Sequence, residues 1–146
     1  MIVKNNIDLN EARRLTDIAI DKAKDIASPS NIAVVDASGF LISHIRMDGA
    51  QLPSIEHAIN KAYTSALFGK ATQELKKDAE PGGELYGVNN SLNGRVIVFA
   101  GGNPLIVNEQ VVGAIGISGG TSEQDRAIAD YAVAQFRLND AASQQG

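Results

Sequence analysis

The sequence predicts an α+β domain built on a five-stranded, mainly antiparallel sheet with helices packed against it. Apolar residues recur at helical spacing in three long stretches, separated by β-type runs joined through short turn-forming connections. No strand leads to the next through a repeated βαβ crossover, which disfavours a doubly wound parallel sheet. The 146 residues suffice for one core and are too few for two comfortable domains. The single domain is placed at residues 1–138, with 139–146, small and polar, as a flexible tail.

Each element has a local cause. Asp8 stands three residues before Glu11, a carboxylate form of the capping box. Ala12, Leu15, Ile18, Ala19, Ala23 and Ile26 then share one helical face, and Ser28-Pro29 ends the helix. The runs Ile32–Val35 and Phe40–Ile45 flank Asp36-Ala37-Ser38-Gly39, whose turn formers predict a hairpin. Alternation places Phe40, Ile42, His44 and Arg46 on one face of the second strand, and Leu41, Ser43 and Ile45 on the other. A middle helix is expected from Pro53 to about Phe68, carrying an alanine stripe at Ala58, Ala62 and Ala66. That stripe suits core packing, with subunit contact as the sharper alternative. Thr72 is expected to cap a short helix reaching Ala79, stopped by Pro81-Gly82-Gly83, and residues 84–95 read as an ordered loop. Strands are expected at Val96–Ala100, Leu105–Val107 and Val111–Ser118. Gly119-Gly120 leads into a last helix capped by Thr121 or Ser122, with Glu123 and Asp125 in its positive first turn.

Composition excludes several function classes. Hydrophobic residues make up 44% and charged residues 21%, a globular balance. Thirteen Lys and Arg against 17 Asp and Glu give a net charge of −4, with the basic residues scattered, so no nucleic-acid surface is expected. Membrane attachment is disfavoured too: there is no polybasic patch and no run of about 20 apolar residues. The absence of cysteine removes disulfides, thiolate zinc sites and cysteine nucleophiles. No signal-peptide pattern opens the chain, so the cytoplasm is the expected location.

Few residues could carry chemistry. His44 and His57 lie on different elements without a carboxylate at ligand spacing, and no serine sits in a nucleophile elbow. No catalytic or metal-ligating set is therefore assigned. The ligand-binding candidates are Arg46, Asp48, Gly101, Gly102, Gly119, Gly120 and Thr121. Gly101-Gly102-Asn103-Pro104 reads as a breaker between two strands, where backbone can approach a ligand closely. Gly119-Gly120-Thr121 offers free N–H groups at a helix start, as anion sites do, although glycines there also serve a plain sharp turn. Arg46 at a strand end is either ion-paired with Asp48 or free to meet a ligand carboxylate in two-point fashion. The expected pocket lies where these three segments converge.

Laid out in order, the chain resembles the GlcG/HbpS-like family, which includes the C-terminal domain of PduO-type cobalamin adenosyltransferases. The carrying residues are Val34-Val35-Asp36-Ala37-Ser38-Gly39, Arg46-Met47-Asp48-Gly49-Ala50 and Lys61-Ala62-Tyr63-Thr64-Ser65-Ala66. Gly101-Gly102-Asn103-Pro104-Leu105, the run Val112 to Gly120, and Glu123-Gln124-Asp125 complete them. The resemblance implies a profilin-like domain, a homo-oligomer larger than a dimer (commonly an octamer), and haem or another tetrapyrrole as ligand. Three features depart from that pattern. Residues 8–27 hold no histidine, where the PduO-type domain has a proposed haem ligand, and the Glu-x-x-Glu iron motif and secretion signal of the secreted haem-sensing member are also missing. An axial ligand would then come from His44, His57, Met47 or an oxygen donor. The expected function is a non-catalytic, small-ligand-binding accessory protein in small-molecule catabolism, for haem, cobalamin or another anionic cofactor or metabolite. An enzyme acting on a small carboxylate, or a ligand-free scaffold, are the alternatives.

Overall fold

The structure, a computed structural model, describes residues 1–145. Among the described residues, four helices, three 3-10 turns and one four-stranded sheet follow one another along the chain. Helix α1 spans Leu9–Asp25, as the spacing of its apolar residues predicts. Asp8 Oδ1 accepts the Glu11 N–H at 2.8 Å. Glu11 does not return to the cap; its carboxylate binds Arg14 instead, with Nε to Oε2 at 2.9 Å. The expected box is thus half made.

Strands β1 (Asn31–Asp36) and β2 (Leu41–Arg46) form the expected hairpin. Asp36 Oδ1 accepts from the N–H groups of Ser38 and Phe40, which holds the turn from its own first residue. The face assignment within β2 needs correction. Val34 lies opposite Ser43 but Val35 lies opposite Leu41, so Ile42 is the extra residue of a β-bulge. Leu41 consequently shares the face of His44 and Arg46.

Helix α2 spans Ser54–Phe68 and is followed by a 3-10 turn, Thr72–Leu75, and a short helix α3, Lys76–Ala79. Thr72 does not cap this segment. Its hydroxyl donates to the Phe99 carbonyl at 2.7 Å and accepts the Gly102 N–H at 3.0 Å, tying the turn to the next strand. Residues 84–95 form the expected loop, with two 3-10 turns inside it.

Strand β3 covers Gly102–Val107 and β4 covers Gln110–Ser118; the sheet order is β2-β1-β4-β3, with every pairing antiparallel. The sheet therefore has four strands among the described residues, not the expected five. Val96–Ala100 is no strand: Ile97 N–H goes to Thr64 Oγ1 and the Phe99 carbonyl to Thr72, so side chains take the bonds that a ladder would have used. Gly102, Asn103 and Pro104 lie inside β3, so they are not a breaker between two strands. Pro104 is tolerated because β3 is an edge.

The sheet's two faces differ in side-chain size, and that fixes the layers. Ile32, Val34, Leu105, Ile115 and Ile117 pack against α1 and against α4, which spans Ser122–Gln145. Each large side chain buried there, Leu15 and Ile128 included, contributes about 1.5–3 kcal/mol. Ala33, Val35 and Ala114 meet Ala58, Ala62 and Ala66 of α2 on the other face. The alanine stripe is core, and it lets α2 approach closely. A Cβ at Gly116 would run into the Ala58 carbonyl and the Ala62 N–H, so only glycine permits this approach. Helix α4 continues through residues 139–145, where the sequence suggested a tail; Gly146 lies outside the described residues.

Candidate functional site

Asn31 on β1 pairs with Arg46 on one side and Ser118 on the other. The ends of β2 and β4 and the starts of β1 and β3 are thereby collected at one end of the sheet. Six of the seven predicted site residues flank or enter this end and the seventh, Asp48, lies just beyond Arg46, but they divide into two neighbourhoods. Arg46 and Gly102 belong to opposite edge strands, three strand spacings or about 14 Å apart.

The first neighbourhood is a cleft of about 500 Å³ between the end of α1 and the end of β2. Ile20, Ile45 and Met47 supply its apolar surface, Ser28 and Asp48 line it as polar residues, and Lys24 adds a cation. Its upper wall is the C-terminus of α1, which closes in a Schellman arrangement: Ser28 N–H binds the Ala23 carbonyl and Ala27 N–H the Lys24 carbonyl. Ala27 takes the left-handed conformation, φ 52°, that this motif usually gives to glycine. Ser28 is 4% exposed, and its hydroxyl has no hydrogen-bond partner among the described residues. An unpartnered buried hydroxyl costs about 1–3 kcal/mol, and this one has almost no accessible surface, packed against Gly120 behind the cleft wall.

Arg46 also borders this cleft, but its position on β2 sends its side chain to the α2 face, beside His44. Burial first, and the Arg46 charge second, hold the His44 imidazole below its ordinary pKa. No ion pair joins Arg46 to Asp48 among the described residues. His57 stands edge-on to Phe99, ring centroids 5.9 Å apart. Neither histidine lines the cleft, and no cluster of three potential metal ligands exists among the described residues.

The second neighbourhood surrounds a residue that sequence reasoning left unassigned. Lys61 of α2 has no exposed side-chain surface, and its ammonium meets two acceptors and an aromatic ring. Its Nζ donates to the Ile117 carbonyl at 2.8 Å and to Asp125 Oδ2 at 2.9 Å, and lies 5.0 Å from the centre of the Phe99 ring. Burial lowers its pKa, against the raising effect of Asp125. Gly101 joins this group through its carbonyl, which accepts the Ile117 N–H at 2.8 Å. The available signal was positional: Lys61 lies three residues after Ala58, on the stripe side of α2. Asp125, expected to serve the helix dipole, also has the specific task of pairing with Lys61.

Gly119-Gly120-Thr121 connects the two neighbourhoods. Gly120 N–H donates to Asp125 Oδ1 at 3.0 Å, and a Cβ on Gly120 would collide with Ser28 Oγ. Thr121 is the cap of α4: its hydroxyl accepts the Gln124 N–H at 3.2 Å, and Gln124 Oε1 accepts the Thr121 N–H at 2.9 Å. This closes a complete capping box, so these N–H groups are satisfied within the chain.

No helix among the described residues is long and apolar enough to cross a membrane. The chain is 38% identical over 130 residues to an uncharacterized 15.0 kDa protein of Citrobacter freundii from the dhaT-dhaS intergenic region, covering 89% of this chain and 92% of that one. It is also 38% identical over 133 residues to the corrinoid adenosyltransferase PduO of Citrobacter freundii, covering 91% of this chain but 40% of PduO. The crystal structure of Klebsiella pneumoniae protein ORFY superposes with a TM-score of 0.92 at 36% identity over 94% of each chain. That of a PduOC:heme complex superposes with a TM-score of 0.85 at 37% identity, covering 88% of this chain and 94% of the other. The family described as haem degrading protein HbpS-like matches residues 7–134, and the chain belongs to it.

Proposed function

We propose that this protein is a non-catalytic, small-ligand-binding accessory protein whose α1–β2 cleft takes a flat, largely apolar anion, a tetrapyrrole such as haem foremost. The observation that carries the reading is the cleft itself, lined by Ile20, Ile45 and Met47 with Lys24 beside them. Its volume falls within the roughly 300–1,000 Å³ of small-molecule sites. Lys24 at the rim suits a carboxylate, and Met47 offers a thioether, a known axial donor to haem iron. The heme complex of the related PduOC and the family description supply the ligand class. Cobalamin or another anionic cofactor or metabolite is the wider class, and small-molecule catabolism the setting.

A cytoplasmic homo-oligomer, an octamer by family resemblance, completes the reading. Phe40 is 73% exposed beside Leu41 on the edge strand β2, and exposed Leu67 packs by Gly39 at the same hairpin turn, an apolar patch suited to a second copy. Titration of the protein with haemin, followed by the Soret absorbance, tests the ligand assignment. Met47→Ala should weaken binding and shift the band, and Lys24→Ala should weaken it more than Arg14→Ala on the same helix. Three unchanged titrations would remove this cleft from consideration. Absorbance that persists for hours identifies a binder, whereas its loss with a reductant present would identify a haem-consuming enzyme.

A further inference from the structure

We propose a second ligand site, along the free edge of β3, that takes a small amino carboxylate. A groove of about 410 Å³ lies there, within the size range of small-molecule sites, and it shares no residue with the α1–β2 cleft. One bank is the segment that follows α2, from Gly69 to Glu74, and the other is α4 from Asp130 to Arg137. Pro104, Ile106 and Val133 give the groove an apolar floor.

The charges along the banks divide into engaged and free. Asp130 Oδ1 accepts from the Asn103 amide nitrogen at 2.8 Å, and its Oδ2 lies 3.6 Å from Arg126 Nε. Glu74 Oε2 accepts the Ala71 N–H at 3.0 Å. Lys70 and Arg137 stand on opposite banks, and neither is ion-paired among the described residues. A carboxylate between them gains charge-assisted contacts from both sides, and the Arg137 fork can grip it at two points. Asn103 lines the same groove although it is 6% exposed. An ionised carboxylate only accepts, so Asp130 fixes the amide nitrogen on itself and leaves Asn103 Oδ1 as an acceptor. That oxygen, with the Asp130 charge behind it, suits an ammonium group. Asp130 and Arg137 are seven residues apart on α4, about 10 Å along its axis, so the two ligand charges are met at opposite ends. An added peptide strand fits this edge poorly. Thr72 Oγ1 already takes the Gly102 N–H at 3.0 Å, and Pro104 has no N–H to give. A discrete small molecule needs neither.

The test is a titration of the protein followed by amide NMR. Glycine, γ-aminobutyrate and ε-aminocaproate vary the spacing between ammonium and carboxylate, and acetate, butyrate and caproate are the matched acids without the ammonium. The expected result is saturable shifts at Ile106 and at the Asn103 side-chain amide with at least one amino acid of the series. Its matched acid should bind about tenfold more weakly, the effect of one lost charge-assisted contact. Lys70 and Arg137 are exposed, so Lys70→Ala and Arg137→Ala should leave the fold intact and each weaken binding about tenfold. Lys77→Ala, exposed and outside the groove, should bind as the wild type does. No saturable shift with any of the three amino acids overturns the site. Wild-type affinity in both Lys70→Ala and Arg137→Ala overturns it as well, and equal affinities for the amino acid and its matched acid overturn the assignment of an amino carboxylate. The reading of the α1–β2 cleft stands or falls separately, by its own haemin titration.

Discussion

Lys61 and Asp125, 64 positions apart in sequence, meet in a 2.9 Å ion pair with almost no solvent contact. The pair joins α2 to α4 across the end of β4, so its energetics reach the whole sheet end. Lys61→Met alone leaves a buried carboxylate, and Asp125→Ala alone a buried ammonium. Each should destabilise the fold by about 3–5 kcal/mol in urea denaturation. The double variant Lys61→Met/Asp125→Leu should recover most of that loss. Equal losses for single and double variants would show that the charges do not compensate one another.

The start of α4 gives a sharper expectation. Thr121, not Ser122, makes the reciprocal bonds with Gln124. Thr121→Ala should cost about 1 kcal/mol, read as a lower midpoint of thermal unfolding, and Ser122→Ala should cost little.

Close packing of α2 predicts failure of folding, not of assembly. Ala62 is fully buried between helix and sheet, and Gly116 lies directly beneath α2. Ala62→Leu or Gly116→Ala should destabilise by about 1–3 kcal/mol or more, detected by calorimetry. A folded Ala62→Leu protein with a changed oligomeric mass would instead place that stripe at a subunit contact.

His44 makes stability depend on acidity. Its folded pKa lies below the ordinary 6.5, through burial and the neighbouring Arg46 charge. The unfolded chain therefore takes up this proton more readily, and stability should fall as pH drops through 6.5 towards the folded value, with no contribution above 6.5. His44→Gln should flatten the slope of unfolding free energy with pH across that window; an unchanged slope would assign it to other groups.

Much of this architecture is legible in local sequence because its causes are local. Asp8, Asp36 and Thr121 each cap or turn the chain through bonds to residues within four positions. The errors arise where the deciding contact is distant. Val96–Ala100 has a strand's composition, but its backbone bonds go to Thr64 and Thr72. The bulge at Ile42 follows from pairing with β1, which alternation within β2 does not contain. At the candidate site, sequence singled out glycines, Arg46, Asp48 and Thr121, and all seven residues lie at or next to one end of the sheet. It could not tell that the shared face of His44 and Arg46 is the α2 side, or that Gly120 answers to Asp125 and Lys61, because those relations are set by register and by a partner on another helix.

Haemin titration of wild-type protein and Ile20→Trp tests the account most directly. Ile20 is half-buried in the cleft wall, where an indole would occupy the space proposed for the ligand. The account predicts saturable binding of haemin to the wild type and its loss in an Ile20→Trp protein whose far-ultraviolet circular dichroism is unchanged. Saturable binding of equal affinity in both proteins, or none in the wild type, would contradict it.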